Sequence, residues 1–222
     1  MTREGTRRRY TGWLWPATVL LLAATGCNIL ATAAWVAKGH QVAPEFEGLK
    51  EKRVAVVCRP LVNLSYRDSS IDHDLARNLS GLLRRNLPQK SNVEVIDQQE
   101  VDAWTDENSW DEYVEVGKAL KADVVIGVDI EGFSLYKGQT VYQGNADLFV
   151  RVVDCHTGET LFEKPLNQIV YPPNTVVPAA EKPEQMFRRE FIAVLADEVG
   201  KLFYPYDPTE YMAMDAKALH EK

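Results

Sequence analysis

Three groupings in this chain hold residue types that could do chemistry. Asp154-Cys155-His156 sets a carboxylate, a thiol and an imidazole side by side, and Asp97, Glu100 and Asp102 bring three acids within six residues. The third is a single thiol, Cys27, at the end of the apolar run Leu20-Leu21-Leu22-Ala23-Ala24-Thr25-Gly26. A structural zinc ion needs several Cys or His ligands at close spacing, whereas His40, His73, His156 and His220 are scattered. Neighbours in sequence point their side chains apart, so His156 is not placed to act as base for Cys155. The Asp-Cys-His grouping is therefore read as a turn, with no metal or cofactor. The acids around Asp97 would suit a general acid/base pair, but acids after a strand serve as helix-start charges or a solvated loop, and that reading is preferred. No phosphate-binding Gly-rich loop, Gly-x-Ser-x-Gly or His-Glu-x-x-His occurs. No enzymatic activity is expected.

These residues sit on a regular succession of elements. Arg53-Val54-Ala55-Val56-Val57-Cys58 is a short β-branched run, a buried strand. After a loop over 59–70, a helix capped by Ser69 or Ser70 carries Ile71, Leu75, Leu79 and Leu82 along one stripe and closes at Pro88. Val93 to Asp97 is a second strand. Ser109-Trp110-Asp111-Glu112 has the spacing of a capping box, and the helix it opens turns Tyr113, Val116 and Leu120 inward. Asp123 to Ile130, extending towards Leu135, is a third strand. Asp147–Asp154 and Glu159–Glu163 flank Gly158 and make an antiparallel hairpin. A last helix carries Phe187, Phe191, Val194, Leu195 and Leu202 inward. The sum is an α/β domain over 51–205: a mixed sheet of about five strands, three of them β/α-connected, with three helices packed on it. Residues 206–222 read as a loose tail. Cys58 and Cys155, ending separate strands, are read as buried free thiols, since pairing needs α-carbons within about 7 Å.

The chain of 222 residues has a net charge of −7, and residues 1–26 hold four arginines against one glutamate. Residues 27–222 are more acidic still, which argues against nucleic acid as a partner. The arginines precede the apolar core Trp13 to Ala24, the order of an exported leader. Ala23-Ala24-Thr25-Gly26-Cys27 resembles the lipobox of bacterial lipoproteins, differing where Ala24 stands at a position usually held by Leu. The resemblance implies a signal peptide over 1–26, peptidase recognition at Ala24, Thr25 and Gly26, and fatty-acyl chains, palmitate among them, on Cys27. Residues 27–50 are then the lipidated cysteine and a tether, with the covalent lipid as the one attached group. Asn28, where Asp would favour retention at the inner membrane, implies the outer membrane. The alternative is an uncleaved helix from Trp13 to Ala37, about 25 residues and long enough to span a bilayer. Either way the domain faces the periplasm.

The β-α-β-α-β-β-β-α order, with "RVAVV", "VEVID", "LKADVVIGVDIEGF" and "LFVRVVDCHTGETLFE", resembles a group of bacterial envelope lipoproteins like the TolB amino-terminal domain and the curli-secretion protein CsgG. That resemblance implies a membrane-anchored, non-enzymatic accessory domain of a cell-envelope assembly for secretion, transport or wall synthesis. Trp104, Trp110 and Tyr113 are the expected contact with an envelope protein if they lie partly exposed. A periplasmic ligand-binding sensor domain is the other non-enzymatic reading, and would need a concave pocket at the strand ends. Oligomeric state does not follow from these residues.

Overall fold

A computed structural model describes residues 41–61 and 70–208 of the chain. The leader with Ala24, Thr25, Gly26 and Cys27, most of the tail, and residues 62–69 lie outside them. In chain order the elements are β1 (Arg53–Pro60), α1 (Ile71–Asn86), β2 (Glu94–Val95), α2 (Gln98–Glu107), α3 (Tyr113–Ala119), β3 (Val124–Tyr136), β4 (Val141–Asp154), β5 (Thr160–Tyr171), β6 (Val177–Pro178) and α4 (Glu184–Gly200). The sheet runs β2-β1-β3-β4-β5, with β6 beside the start of β4. β1 pairs parallel with β2 and β3, and the later pairs are antiparallel. The mixed α/β sheet expected from the sequence is the one observed.

Alternation along the strands divides the core into two layers, because successive side chains leave opposite faces. Val54, Val56, Ile126, Val128, Leu148 and Val150 turn to the face covered by α1 and α4. There Leu75, Leu79, Phe187 and Phe191 are fully buried, each worth about 1.5–3 kcal/mol of transfer free energy. Ala55, Val57, Val125 and Val153 turn to the other face, beneath Val101 of α2 and Tyr113 and Val116 of α3.

The elements differ from the sequence reading in four places. α2 is a helix where a loop or helix start was expected; only Val101 is buried among its apolar residues, too narrow a stripe to announce a helix. The capping box is not formed: α3 starts at Tyr113, Glu112 takes the cap position, and no side chain caps it. Trp110, within that stretch, packs instead with its ring 5.6 Å from Tyr113. β4 and β5 are longer than expected, 14 and 12 residues, because Gln143, Gly144, Asn145, Asn167 and Gln168 break the apolar alternation without breaking the ladder. Finally, residues 42–50 of the tether pack on the domain. Val42 exchanges backbone hydrogen bonds with Tyr206 (2.8 and 3.2 Å), Leu49 is buried, and the Phe46 ring lies 5.5 Å from that of Phe162.

The β4–β5 turn forms as read. Gly158 takes φ +78°, a conformation that costs glycine little, and Asp154 accepts hydrogen bonds from the backbone N–H groups of His156 (2.8 Å) and Thr157 (2.9 Å). Those two bonds hold the Asp154 carboxyl below its ordinary range. Cys155 is buried, and both described cysteines are free.

Candidate functional site

The site lies at the carboxyl end of the parallel strands. Because β1 leads through α1 to β2 on one side, and β2 returns through α2 and α3 to β3 on the other, the two crossovers part at β1. Such switch points are where open α/β sheets form ligand crevices. Register puts Arg59 of β1 opposite Asp129 of β3, and Asp129 opposite Phe149 of β4, in one row on the α2–α3 face.

Asp129 is wholly buried, and its charge is met from three directions. Arg59 Nε donates to Oδ1 at 2.6 Å, and the Tyr113 hydroxyl donates to the same oxygen at 2.7 Å. Arg151 Nη2 stands 2.9 Å from Oδ2 as an ion pair; it is not aligned as a hydrogen bond, which leaves that oxygen and the buried Arg151 Nε unbonded. Aromatic faces complete the arrangement. The Arg59 guanidinium carbon is 4.6 Å from the Tyr113 ring centroid and 5.6 Å from that of Trp110, and Arg151 is 4.9 Å from Phe149. Each guanidinium thereby gains cation–π attraction from the ring it lies over. Arg59 Nη1 also donates to the Asp111 carbonyl at 2.7 Å, tying the 109–112 stretch to β1.

Tyr113 reaches Asp129 because Gly127 lies beneath its ring: a Cβ there would fall 2.6 Å from two ring carbons. Burial, then the hydrogen-bonded Asp129 carboxylate, pushes the Tyr113 hydroxyl far above its ordinary value, so it remains a donor. Burial is the largest influence and works against the Arg59 charge, but the bonded Asp129 carboxylate together with Tyr113 and Glu112 outweighs it and raises the pKa.

Of the three expected contact residues, Tyr113 is buried, whereas Trp104 and Trp110 are half-buried on the edge of the second core layer. Tyr113 is thus the floor of the patch and Trp110 its surface, with Trp104 one helix away. Arg59, Asp129, Arg151 and Phe149 were not singled out from the sequence. The signal available was an acid inside the apolar run "VVIGVDI", a charge on a strand whose neighbours are all core.

The acids after β2 do not converge. Asp97 caps α2 by accepting from Gln99 N at 2.9 Å, and Glu100 is exposed. Asp102 accepts from Gln98 Nε2 at 2.8 Å and lies 3.4 Å from both Arg77 Nη2 and His73 Nδ1. Among the described residues no three His, Cys, Asp or Glu side chains are grouped to hold a metal ion. In the same set no helix is long and apolar enough to cross a membrane.

A cavity of about 110 Å³ adjoins the patch, with Arg59 and Trp110 in its wall. It follows from the shortness of β2. That strand stops at Val95, so the edge of β1 from Val57 to Arg59 has no strand beside it among the described residues. α1 and α2 meet across the gap, joined by the Ser80 hydroxyl donating to Gln98 Oε1 at 2.7 Å.

No family model matches the sequence, and no curated protein matches it. Solved structures do resemble the fold. A PelC dodecamer variant from Paraburkholderia phytofirmans is 11% identical with a TM-score of 0.44, covering 73% of this chain and 96% of that one. Lipoprotein GNA1162 from Neisseria meningitidis is 10% identical with a TM-score of 0.40, covering 66% and 97%. TolB from Acinetobacter baumannii is 12% identical with a TM-score of 0.28, covering 72% and 29%. These are likenesses of general arrangement.

Proposed function

We propose that this chain is a lipid-anchored protein of the cell envelope, held through Cys27 with its domain in the periplasm. The domain engages another envelope protein through the surface around Trp110 and catalyses no reaction. The observation that carries the contact surface is Arg59 stacked against Trp110 and Tyr113 above a buried Asp129. Tryptophan, tyrosine and arginine dominate binding hot spots, and a side chain already locked in place loses little entropy on association. The anchor reading rests on the basic leader, its apolar core and the small residues before Cys27. A single short acyl chain anchors only marginally, so the reading requires two or more on that sulfur. A tether confines the domain to a surface and raises the local concentration of its partner. The divergence of Asp97, Glu100 and Asp102 speaks against acid/base catalysis by those three residues.

Two measurements test it. Intact mass of the detergent-extracted protein is expected to show a chain starting at residue 27 with acyl mass; a full-length chain with an unmodified Cys27 would favour the spanning helix. Capture from detergent extract is expected to recover an envelope protein with the wild type and to lose it with a folded Trp110→Ala variant. Equal recovery by both would remove the patch from the contact.

A further inference from the structure

We propose that the apolar groove between the tether and the link from α1 to β2 is the docking site of this chain's own C-terminal segment, residues 209–222, which seats Tyr211-Met212-Ala213-Met214 there. The docking does not depend on how the chain is anchored.

Three segments of the fold meet at this groove. The tether contributes Phe46 and Leu49, the link after α1 contributes Leu87 and Val93, and the stretch after α4 contributes Phe203 and Pro205. Leu49 and Phe203 are buried, but Phe46, Leu87 and Val93 are only half-buried where they pack on the first core layer. Apolar side chains that converge on a concavity and stay partly in water favour a cover. The groove measures about 260 Å³. Small-molecule sites run from roughly 300 to 1,000 Å³, whereas a cavity of about 150 Å³ holds one benzene ring, so the space suits about two apolar side chains.

The occupant follows from where the described residues end. Residues 209–222 lie outside them and begin four positions after Pro205, which lines the groove. Tyr206 pairs antiparallel with Val42, so the chain leaves that bridge heading away from Phe46 and Leu49. Asp207-Pro208 is a turn-initiating pair, and a reversal there sends the next residues back along the tether. Tyr211-Met212-Ala213-Met214 is the longest apolar run that follows, three to six residues beyond Pro208. That is about 10–20 Å of extended chain, enough to return to the groove. The flexible, unbranched methionine side chain fills irregular apolar gaps. A segment of the same chain meets the groove at an effective concentration on the order of millimolar, whereas a second copy or a partner loses the full entropy of association. Once docked, the segment closes over residues 42–50. On the anchored reading it is a strap that keeps this part of the tether on the domain.

The test uses the full-length chain in lipid nanodiscs, free of detergent that would fill the groove, with ¹³C-methyl methionine. The chain holds four methionines, so Met212 and Met214 are assigned by changing each to leucine in turn. At least one of these two methyls should show nuclear Overhauser contacts to Phe46, Leu87 or Val93. The Val42 N–H donates to the Tyr206 carbonyl at 2.8 Å and the Phe46 N–H to that of Leu202 at 2.9 Å, which makes both amides reporters of the tether. Met212→Asp combined with Met214→Asp leaves the described core untouched and should lower hydrogen-exchange protection of these amides about tenfold. Methyl signals at unfolded-chain positions without those contacts would overturn the proposal, as would unchanged protection in the double variant. Contacts seen only between differently labelled copies would overturn it in favour of a second copy. Protection kept in the double variant but lost in Cys27→Ser would overturn it in favour of an acyl chain.

Discussion

Replacing Asp129 by alanine tests the arrangement beneath Trp110 most directly. The carboxylate is fully buried and is shared by two guanidinium groups whose side chains are only 27% and 30% exposed. Removing it leaves Arg59 and Arg151 part-buried without their counter-charge and strands the Tyr113 hydroxyl in the core. Breaking a buried pair from one side costs about 3–5 kcal/mol. Partial solvation of the arginines places the expectation at the lower end, about 3 kcal/mol. Tyr113→Phe removes only the 2.7 Å bond to Oδ1 and leaves both ion pairs, so its cost should be about 1.5–2 kcal/mol, the lower part of the range for a hydrogen bond to a charged group. With a urea m-value of about 2 kcal/mol/M, the two variants should lower the midpoint by roughly 1.5 M and 0.8–1 M. Urea titration followed by circular dichroism gives both numbers. The double variant should cost less than the sum, because the tyrosine bond is already gone without Asp129. A loss below about 1 kcal/mol for Asp129→Ala would refute the reasoning. So would strict additivity of the pair.

Two more expectations come from close packing and from proton linkage. Gly117 faces β3 and β4 so closely that a Cβ would fall 2.2 Å from Cys155 Sγ and 2.7 Å from Val125 Cγ2; Gly117→Ala should cost about 1–3 kcal/mol, and Cys155→Ala should recover part of it in the double variant, read by thermal melting. Asp123 accepts from Arg53 N at 2.7 Å and then from His156, contacts that hold its carboxyl below the ordinary value. A depressed carboxyl contributes stability that is present above its unfolded pKa of about 3.9 and is lost as pH falls through the lower folded value. The wild type should therefore lose stability as pH drops below about 4, more steeply than Asp123→Asn, in urea midpoints measured across that range.

Alternation in "RVAVVC" and "VVIGVDI", the stripe of α1 and the Gly158 turn were enough to predict a mixed sheet, because each is a local rule acting on neighbouring residues. The leader and Cys27 lie outside the described residues, so export and acylation, read from a linear pattern, stand as part of the proposal. α2 was hidden because a helix packed along so narrow an apolar edge shows little periodicity. The extra length of β4 and β5 was hidden because backbone pairing continues through polar side chains. Tertiary structure alone decided the site. Arg59, Asp129 and Arg151 are separated by 70 and 22 positions in sequence and become neighbours only through strand register. The cavity likewise depends on where β2 ends and on α1 and α2 closing across the gap, a geometry that no single segment specifies. Side-chain chemistry and period are properties of a stretch of chain; convergence on one buried carboxylate is a property of the sheet.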